Sequence, residues 1–382
     1  MERGVAMRVA MVSKHFYPYL GGLEYRVLDL SRWLAKHDVE VLVFTSHEKE
    51  TSSFEDIDGI KVYRSSVFLD VFNALFSPGI LLNLLRKDYD LIDVNLPDPV
   101  NSISALIASV LKRKPMAVTY HADIVKDRWY HIPFKLFYRF FERLVLWKAK
   151  IIFATSPDYA ESSKTLKRYR GKIKITPNFV DPQKYNPQID AKDLRKKLAP
   201  GGEKIILFVG RFVPYKGLEY LIDAFKIILD KQVDAKLVLV GSGELEEKLK
   251  KQVSGFGLDD SVVFAGRVGD DSLAKYYAAC DVFALPSVTR AEAFGIVLAE
   301  AMACGKPTVT TNISGMPYVV GEAGLTVEPR NPKALSEALI KLLSDEELAV
   351  DDGVLGRRRV EELFTADAVC GKIKEEYESL VK

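Results

Sequence analysis

The sequence predicts an α/β protein built as two doubly wound domains, each around a parallel sheet. Three observations lead there. Short β-branched runs alternate with helix-period stretches along the chain, a Pro-, Gly- and charge-rich break interrupts the alternation near its middle, and 382 residues suffice for two domains that each bury a core.

The first half opens with the strand-like run MRVAMVS. The stretch GGLEYRVLDLSRWLAKH follows, in which Leu23, Val27, Leu30 and Leu34 recur at helical spacing and predict one buried stripe. VEVLVFT, DLIDVN, MAVTYH and KIIFATS continue the pattern as near-continuous apolar runs, the signature of parallel strands covered on both faces. The acidic tripeptides DID (56–58) and DYD (88–90) precede the strand-like GIKVYR and LIDVN and read as turn chemistry, so no metal site is expected. DPQKYNPQIDAKDLRKKLAPGGEK is poor in apolar runs and marks the passage to a new unit, which places the domains at 1–183 and 184–364. KIILFVG, KLVLVGSG, SVVFAG, DVFALPS, KPTVTT and GLTVEP then form a second strand set, spaced by helical stretches such as LEYLIDAFKIILD. Ligands in open α/β sheets bind beyond the carboxyl ends of the strands, so the expected site is a cleft lined by the loops there.

Composition excludes several classes. Lys plus Arg at 54 against Asp plus Glu at 52 leaves +2, so no global field favours a nucleic-acid partner. The three cysteines, Cys280, Cys304 and Cys370, form no CxxC pair, which argues against a disulfide framework or a zinc site and for a reducing compartment. The opening MERGVAMRVAMVSKHF enters a strand without a signal-peptide apolar region, and no run reaches 18 apolar residues. A cytoplasmic protein is expected.

Residues with candidate chemistry cluster after strands. GRFVPYKG carries Arg211 and Lys216 on a glycine-bounded turn, a planar fork plus a mobile point charge suited to a diphosphate. GSGE (241–244) starts like a dinucleotide fingerprint, but Glu246 stands where the third glycine belongs; Gly241 and Gly243 read instead as a tight turn near a ligand. TYHAD brings His121 to the end of a first-half strand. EAFGIVLAE (292–300) holds two acids eight positions apart. On one continuous helix they would share a face about 12 Å apart. If the helix begins near Gly295, Glu292 lies in the entering loop and the N–H groups of Gly295, Ile296 and Val297 face an anion.

Taken in order, FYPYLGGLEYRVLDLSRWLAKHDVEVLVFT, TYHAD, ITPNFVDPQKYNP, FVGRFVPYKGLEYLIDAF, LVLVGSGE, VVFAGRV and DVFALPSVTRAEAFGIVLAEAMACGKPTV resemble the retaining GT-B glycosyltransferases of family 4 over nearly the whole chain. The resemblance implies two Rossmann-like domains facing a cleft: an acceptor-side domain, and a donor domain for a nucleoside-diphosphate sugar. It also implies that the last helix, 365–382, packs back on the first domain. Glu300 would hold the donor ribose, and Glu292 with the backbone of Ala293, Phe294 and Gly295 would lie at the donor sugar. Ile296, Val297, Arg211 and Lys216 would bind the diphosphate. Gly21, Gly22 and Gly243 let backbone approach the donor, Arg267 and Val268 border the base, and His121 meets the transferred sugar. SGMPYVV is a variant of the usual small-residue loop, and DVNLPDP lacks a His often found after that strand, which bears on acceptor contacts. The implied reaction is metal-independent transfer of a hexose to an acceptor hydroxyl, on a glycan or lipid, with retention. With no carboxylate placed as a covalent nucleophile, front-face substitution is expected. The alternatives are a nucleotide-sugar epimerase of the same architecture and a non-catalytic binding protein.

KDRWYHIPFKLFYRFFERLVLWKAK (126–150) carries seven cations against two anions. Lys135, Arg139 and Arg143 form a basic stripe and Phe134, Phe137, Phe141 and Val145 an apolar one, with Trp129, Tyr130 and Trp147 near the ends. That is the pattern of a helix in an anionic lipid interface, and it predicts peripheral attachment at the inner face of the cell membrane. VFNALFSPGILLNLL (71–85) is expected to add a neighbouring apolar wall.

Overall fold

The computed structural model describes residues 7–19, 21–47, 51–71, 74–98, 100–123 and 132–382. The chain divides into two compact units, Met1–Pro177 with Ala366–Lys382, and Asn178–Thr365. Val180 and Tyr185 are buried in the core of the second unit, so the chain joins that unit at Asn178.

Unit 1 runs β1 (Met7–Val12), α1 (Gly22–Lys36), β2 (Val39–Ser46), β3 (Phe54–Ile57), β4 (Ile60–Ser65), the small hairpin β5 (Leu69–Val71) and β6 (Ala74–Phe76), α2 (Gly79–Arg86), β7 (Leu91–Leu96), α3 (Asn101–Leu111), β8 (Met116–Tyr120), α4 (Ile132–Lys148), β9 (Ile151–Ala154), α5 (Pro157–Ser162) and β10 (Ile173–Ile175). The sheet order is β10-β9-β8-β7-β1-β2-β4-β3. All pairings are parallel except β3 with β4, an antiparallel edge that the sequence reading lacked. Asp56 sits in that hairpin, where its Oδ1 accepts the Gly59 N–H at 2.9 Å, while Asp58 pairs with Arg32 at 2.8 Å. These acids serve a turn.

On α1 the expected stripe is buried at Val27, Leu30 and Leu34, and Leu23 is half-buried. Arg26 is buried with them, its guanidinium donating to the carbonyls of Thr176 at 3.0 Å and Pro177 at 2.5 Å. Asp93, in the fully buried β7, accepts from Thr119 Oγ1 at 3.0 Å and from Tyr377 Oη at 2.7 Å. Tyr377 belongs to the C-terminal helix, Ala366–Val381, whose Asp367 also accepts from Trp33 Nε1 at 2.6 Å. A buried hydroxyl–carboxylate bond of this kind fixes the helix on unit 1, because breaking it would strand a desolvated polar group.

Unit 2 runs α6 (Lys192–Leu198), β11 (Lys204–Val209), α7 (Leu218–Asp230), β12 (Ala235–Val240), α8 (Glu246–Gly255), β13 (Val262–Gly266), α9 (Asp270–Ala279), β14 (Val282–Leu285), α10 (Ile296–Ala303), β15 (Thr308–Thr311), α11 (Met316–Val320), β16 (Leu325–Val327), α12 (Pro332–Ser344) and α13 (Glu346–Leu363). Its all-parallel sheet has the order β13-β12-β11-β14-β15-β16. The winding direction reverses between β11 and β14, as it does in unit 1 between β7 and β1. Such switch points leave a crevice at the carboxyl ends of the strands, where ligands of open α/β sheets bind.

Two readings need adjustment. Gly22 is the first residue of α1 rather than part of the preceding loop. On α4 the expected apolar stripe splits: Val145 is buried, Phe141 is half-buried and Phe137 is exposed, while Tyr138 and Glu142 take the inner face. Glu142 can be inside because Tyr120 Oη and Tyr138 Oη donate to it at 3.0 and 3.1 Å. Residues 126–131 of the basic segment lie outside the described residues. Among the described residues no helix is long and apolar enough to cross a membrane. All three cysteines are buried, and burial pushes each thiol up to about 12.

Candidate functional site

The loops after β11 and β14, the two strands flanking the switch point of unit 2, bring Lys216 and Glu292 together. Lys216 closes a 3-10 turn, Pro214–Lys216, and its Nζ lies 2.5 Å from Glu292 Oε2. Both side chains are largely shielded, at 10% and 12% exposure, so the pair is more than a surface contact. Ser287 Oγ donates to the same Glu292 oxygen at 3.2 Å. Arg211 is exposed on the same loop, with only the Tyr215 hydroxyl at 3.4 Å from its guanidinium and no carboxylate partner among the described residues.

Glycines allow these loops to approach. Gly217 adopts φ +71°, and a Cβ there would fall 2.2 Å from Pro286 O. Gly241, at φ +132°, lies so close to Gly210 that a Cβ would come within 1.9 Å of its carbonyl. Gly243 packs in the same way on Phe212, with 2.4 Å from a notional Cβ to the Phe212 carbonyl. The GSG turn is thus spent on joining two strand-end loops, with Phe212 N–H donating to Ser242 O and Leu245 N–H to Phe212 O. Arg267, exposed after β13, donates to Ser242 Oγ at 2.8 Å and extends this loop cluster, with Val268 half-buried beside it.

The two acids of EAFGIVLAE are not on one helix. Residues 286–295 form a loop, Gly295 turns at φ +77°, and α10 begins at Ile296. Glu292 therefore stands in the entering loop and Glu300 in the second turn of the helix. The N–H groups of Ile296 and Val297 have no carbonyl inside the helix to receive them and no side-chain cap, which leaves a positive end beside Glu292 and Lys216. Phe294 is buried against Phe364, so only its backbone is on offer. The Ala293 carbonyl is taken by Gly315 N–H at 3.1 Å and Ser314 Oγ at 3.3 Å, which locks the loop onto the start of α11. Tyr277 Oη donates to Glu300 Oε2 at 2.6 Å, holding that carboxylate in one direction.

Unit 1 places its residues after β1, at its own switch point, and after β8, the strand next to β7. Gly21 and Gly22 follow β1, and a Cβ on Gly22 would meet no heavy atom within 4 Å. Among the described residues nothing requires glycine at position 22. His121 follows β8, half-buried, with Nε2 2.9 Å from Asn95 Oδ1. Asn95 Nδ2 is anchored on Val12 O at 3.4 Å, so its oxygen faces the ring, Nε2 carries the proton and Nδ1 keeps its lone pair. Burial, with a contribution from Arg26, lowers the His121 pKa well below 6.5, and the ring is neutral at pH 7.

Sequence reading missed Asn95, which sets the tautomer of His121, as well as Tyr277 and Ser287, which aim the two acids. One signal was available: Asp93 and Asn95 are polar residues inside an otherwise apolar six-residue strand. Among the described residues, no group of three or more His, Cys, Asp or Glu side chains is placed to hold a metal ion.

Comparison with known proteins bears on both units. The family model for glycosyl transferases group 1 matches residues 190–354, and the model for Glycosyltransferase Family 4 matches 20–184. The chain is 32% identical over 383 residues to the O-antigen chain mannosyltransferase C of Escherichia coli, covering 98% of this chain and 99% of the relative. It is 30% identical over 365 residues to the D-rhamnosyltransferase WbpZ of Pseudomonas aeruginosa, covering 92% of each. Among solved structures, sucrose-phosphate synthase from Thermosynechococcus elongatus superposes with a TM-score of 0.78 at 25% identity, over 98% of this chain and 99% of that one.

Proposed function

The chain belongs to the retaining GT-B glycosyltransferases of family 4, and from that premise we propose that it moves a manno-configured hexose from a nucleoside diphosphate to the hydroxyl of a glycan or lipid acceptor. Transfer from a nucleotide sugar follows from the family; the epimerase alternative finds no support in the comparisons. The sugar is our reading. It rests on two relatives, a mannosyltransferase and a D-rhamnosyltransferase, D-rhamnose being the 6-deoxy form of mannose.

One observation carries the assignment of the donor site: a shielded Lys216–Glu292 pair and an acid-free Arg211 stand beside the open amino terminus of α10. Cations and helix N–H groups are what a diphosphate needs, most of all while the glycosidic bond breaks and negative charge moves onto the leaving group. In the proposed mechanism Lys216, Arg211, Ile296 and Val297 take that charge, and no metal is required. Glu292 lies at the transferred sugar with the backbone of Ala293 to Gly295, and its charge favours the oxocarbenium-like state. Glu300, aimed by Tyr277, accepts from the ribose hydroxyls, while Gly243, Arg267 and Val268 border the base. In unit 1, Gly21 and Gly22 let backbone approach the donor, and His121 Nδ1 accepts a hydrogen bond from a sugar hydroxyl. The departing phosphate oxygen takes the proton of the acceptor hydroxyl as the new bond forms on the same face.

We further propose cytoplasmic work at an anionic membrane surface. Support comes from α4, where Phe140 and Trp147 are 58% and 71% exposed beside exposed Arg139 and Arg143. The test is product analysis. With a manno-configured nucleoside-diphosphate sugar and a polyprenyl-linked or free glycan acceptor, NMR should find an α-linked product, retained from the α-donor, in buffer containing a strong chelator. An inverted linkage, or loss in chelator that a divalent ion restores, would contradict it.

A further inference from the structure

Unit 1 contains a pocket that the donor reading does not use. Arg139 and Arg143, one turn apart on α4, line it from one side. Lys164, Thr165, Arg168 and Tyr169, from the chain after α5 and its 3-10 segment Leu166–Lys172, line it from the other. Its volume is about 160 Å³, enough for a phosphate group.

None of its four cations has an ion pair among the described residues. Glu142, the one acid in the wall, is 4% exposed and engaged by the Tyr120 and Tyr138 hydroxyls, so it does not neutralise the opening. Tyr169 Oη donates to Arg143 O at 3.3 Å, and Lys172 Nζ donates to the carbonyls of Trp147 and Ala149 at 2.6 and 2.8 Å. These bonds hold the two walls together. Four like charges lining one concavity favour the entry of an anion, and guanidinium forks, of which there are three, match phosphate oxygens in geometry.

We infer that this pocket is a phosphate-binding site on unit 1, built for a phosphate or diphosphate group carried by the acceptor. The binding itself is independent of the transfer reading; only the identity of the carrier as acceptor rests on it. Trp147 lies one turn beyond Arg143, exposed on α4, so a lipid-borne phosphate would find an apolar neighbour. A free phosphorylated acceptor offers the same headgroup chemistry without it.

The test is calorimetric titration of the full chain with inorganic pyrophosphate, comparing wild type, the Arg143→Gln/Arg168→Gln double variant and Lys216→Met. The pocket predicts a binding event that Lys216→Met leaves intact and that the double variant weakens about a hundredfold or more, the size expected for losing two charged hydrogen bonds. Both changed arginines are exposed, and an unaltered melting transition will show that the double variant is folded. Unchanged pyrophosphate binding in the double variant overturns the site, whereas failure of Lys216→Met to change any binding counts only against the donor site. Sedimentation with phosphatidylcholine vesicles containing phosphatidic acid, a monoester, or phosphatidylglycerol, a diester, separates the sources. Preference for the monoester, lost in the double variant, assigns a lipid phosphate. No such preference together with pyrophosphate binding that the double variant loses assigns a soluble one.

Discussion

Glu292→Gln keeps shape and the Ser287 contact but removes one charge from the Lys216 pair. If that charge acts where positive character develops on the sugar, the change should cut kcat about a hundredfold, or about 2.7 kcal/mol at 1.36 per factor of ten. Lys216 stays, so donor affinity should remain within about threefold of wild type. Lys216→Met differs. It leaves Glu292 12% exposed without its cation, at a cost of about 2 kcal/mol, between the roughly 1 of a surface pair and the 3–5 of a fully buried one broken on one side. The unliganded Tm should then fall by about 4–8 °C for a unit of this size, and donor affinity and kcat should drop together. The assay is single-turnover release of nucleoside diphosphate, with donor affinity measured in parallel by calorimetry. Turnover of Glu292→Gln within about threefold of wild type would remove that residue from the chemistry. Equal losses of donor affinity in both variants would mean that the pair is a structural strut.

Three other outcomes are expected. Gly22→Ala should stabilise the free protein by up to about 1 kcal/mol, since the residue opens a helix and its Cβ would meet nothing, yet it should weaken donor use; unchanged kinetics would mean that the glycine has no ligand to accommodate. Tyr377→Phe should destabilise unit 1 by about 1–3 kcal/mol in urea titration, because Asp93 Oδ2 loses one of its two buried donors and keeps only Thr119 Oγ1; a neutral change would show that this bond does not help to hold the C-terminal helix. For His121 the sign follows from its lowered pKa. The unfolded ring titrates near 6.5, so the unfolded chain takes up the proton first, and the contribution of the neutral ring is complete above that pH and lost as pH falls below it. His121→Gln should therefore lose less stability than wild type between about pH 7 and about pH 5; parallel curves would contradict the lowered pKa.

The parallel strands of both sheets were legible because strands covered on two faces are apolar throughout, and KIILFVG or VEVLVFT leaves little alternative. The edge pieces were not. β3 (FEDI), β5 (LDV) and β10 (IKI) are broken by charged residues, unlike the comparably short β9 and β14, whose runs are apolar throughout. On α4 the hydrophobic pattern misled, since Glu142 is buried through two tyrosine hydroxyls that no linear pattern reveals, while Phe137 and Phe140 face outward. Of the candidate site, the charged residues could be read from turn chemistry at strand ends. Their supports could not: Asn95, Ser287 and Tyr277 matter through single hydrogen bonds made across the fold. The glycines were recognised as conformational necessities, but the particular contacts they permit, such as Gly241 on Gly210, exist only once β11 and β12 lie side by side.

The most direct test of the donor assignment is calorimetric titration of wild type and of Arg211→Gln/Lys216→Met with a panel of nucleoside diphosphates and the matching nucleosides. At least one diphosphate should bind wild type, its nucleoside should bind far more weakly, and the double variant should lose most of the difference between them, because that difference is what the cations and the end of α10 supply. Diphosphate and nucleoside binding equally well, or a double variant that still distinguishes them as wild type does, would contradict the donor assignment.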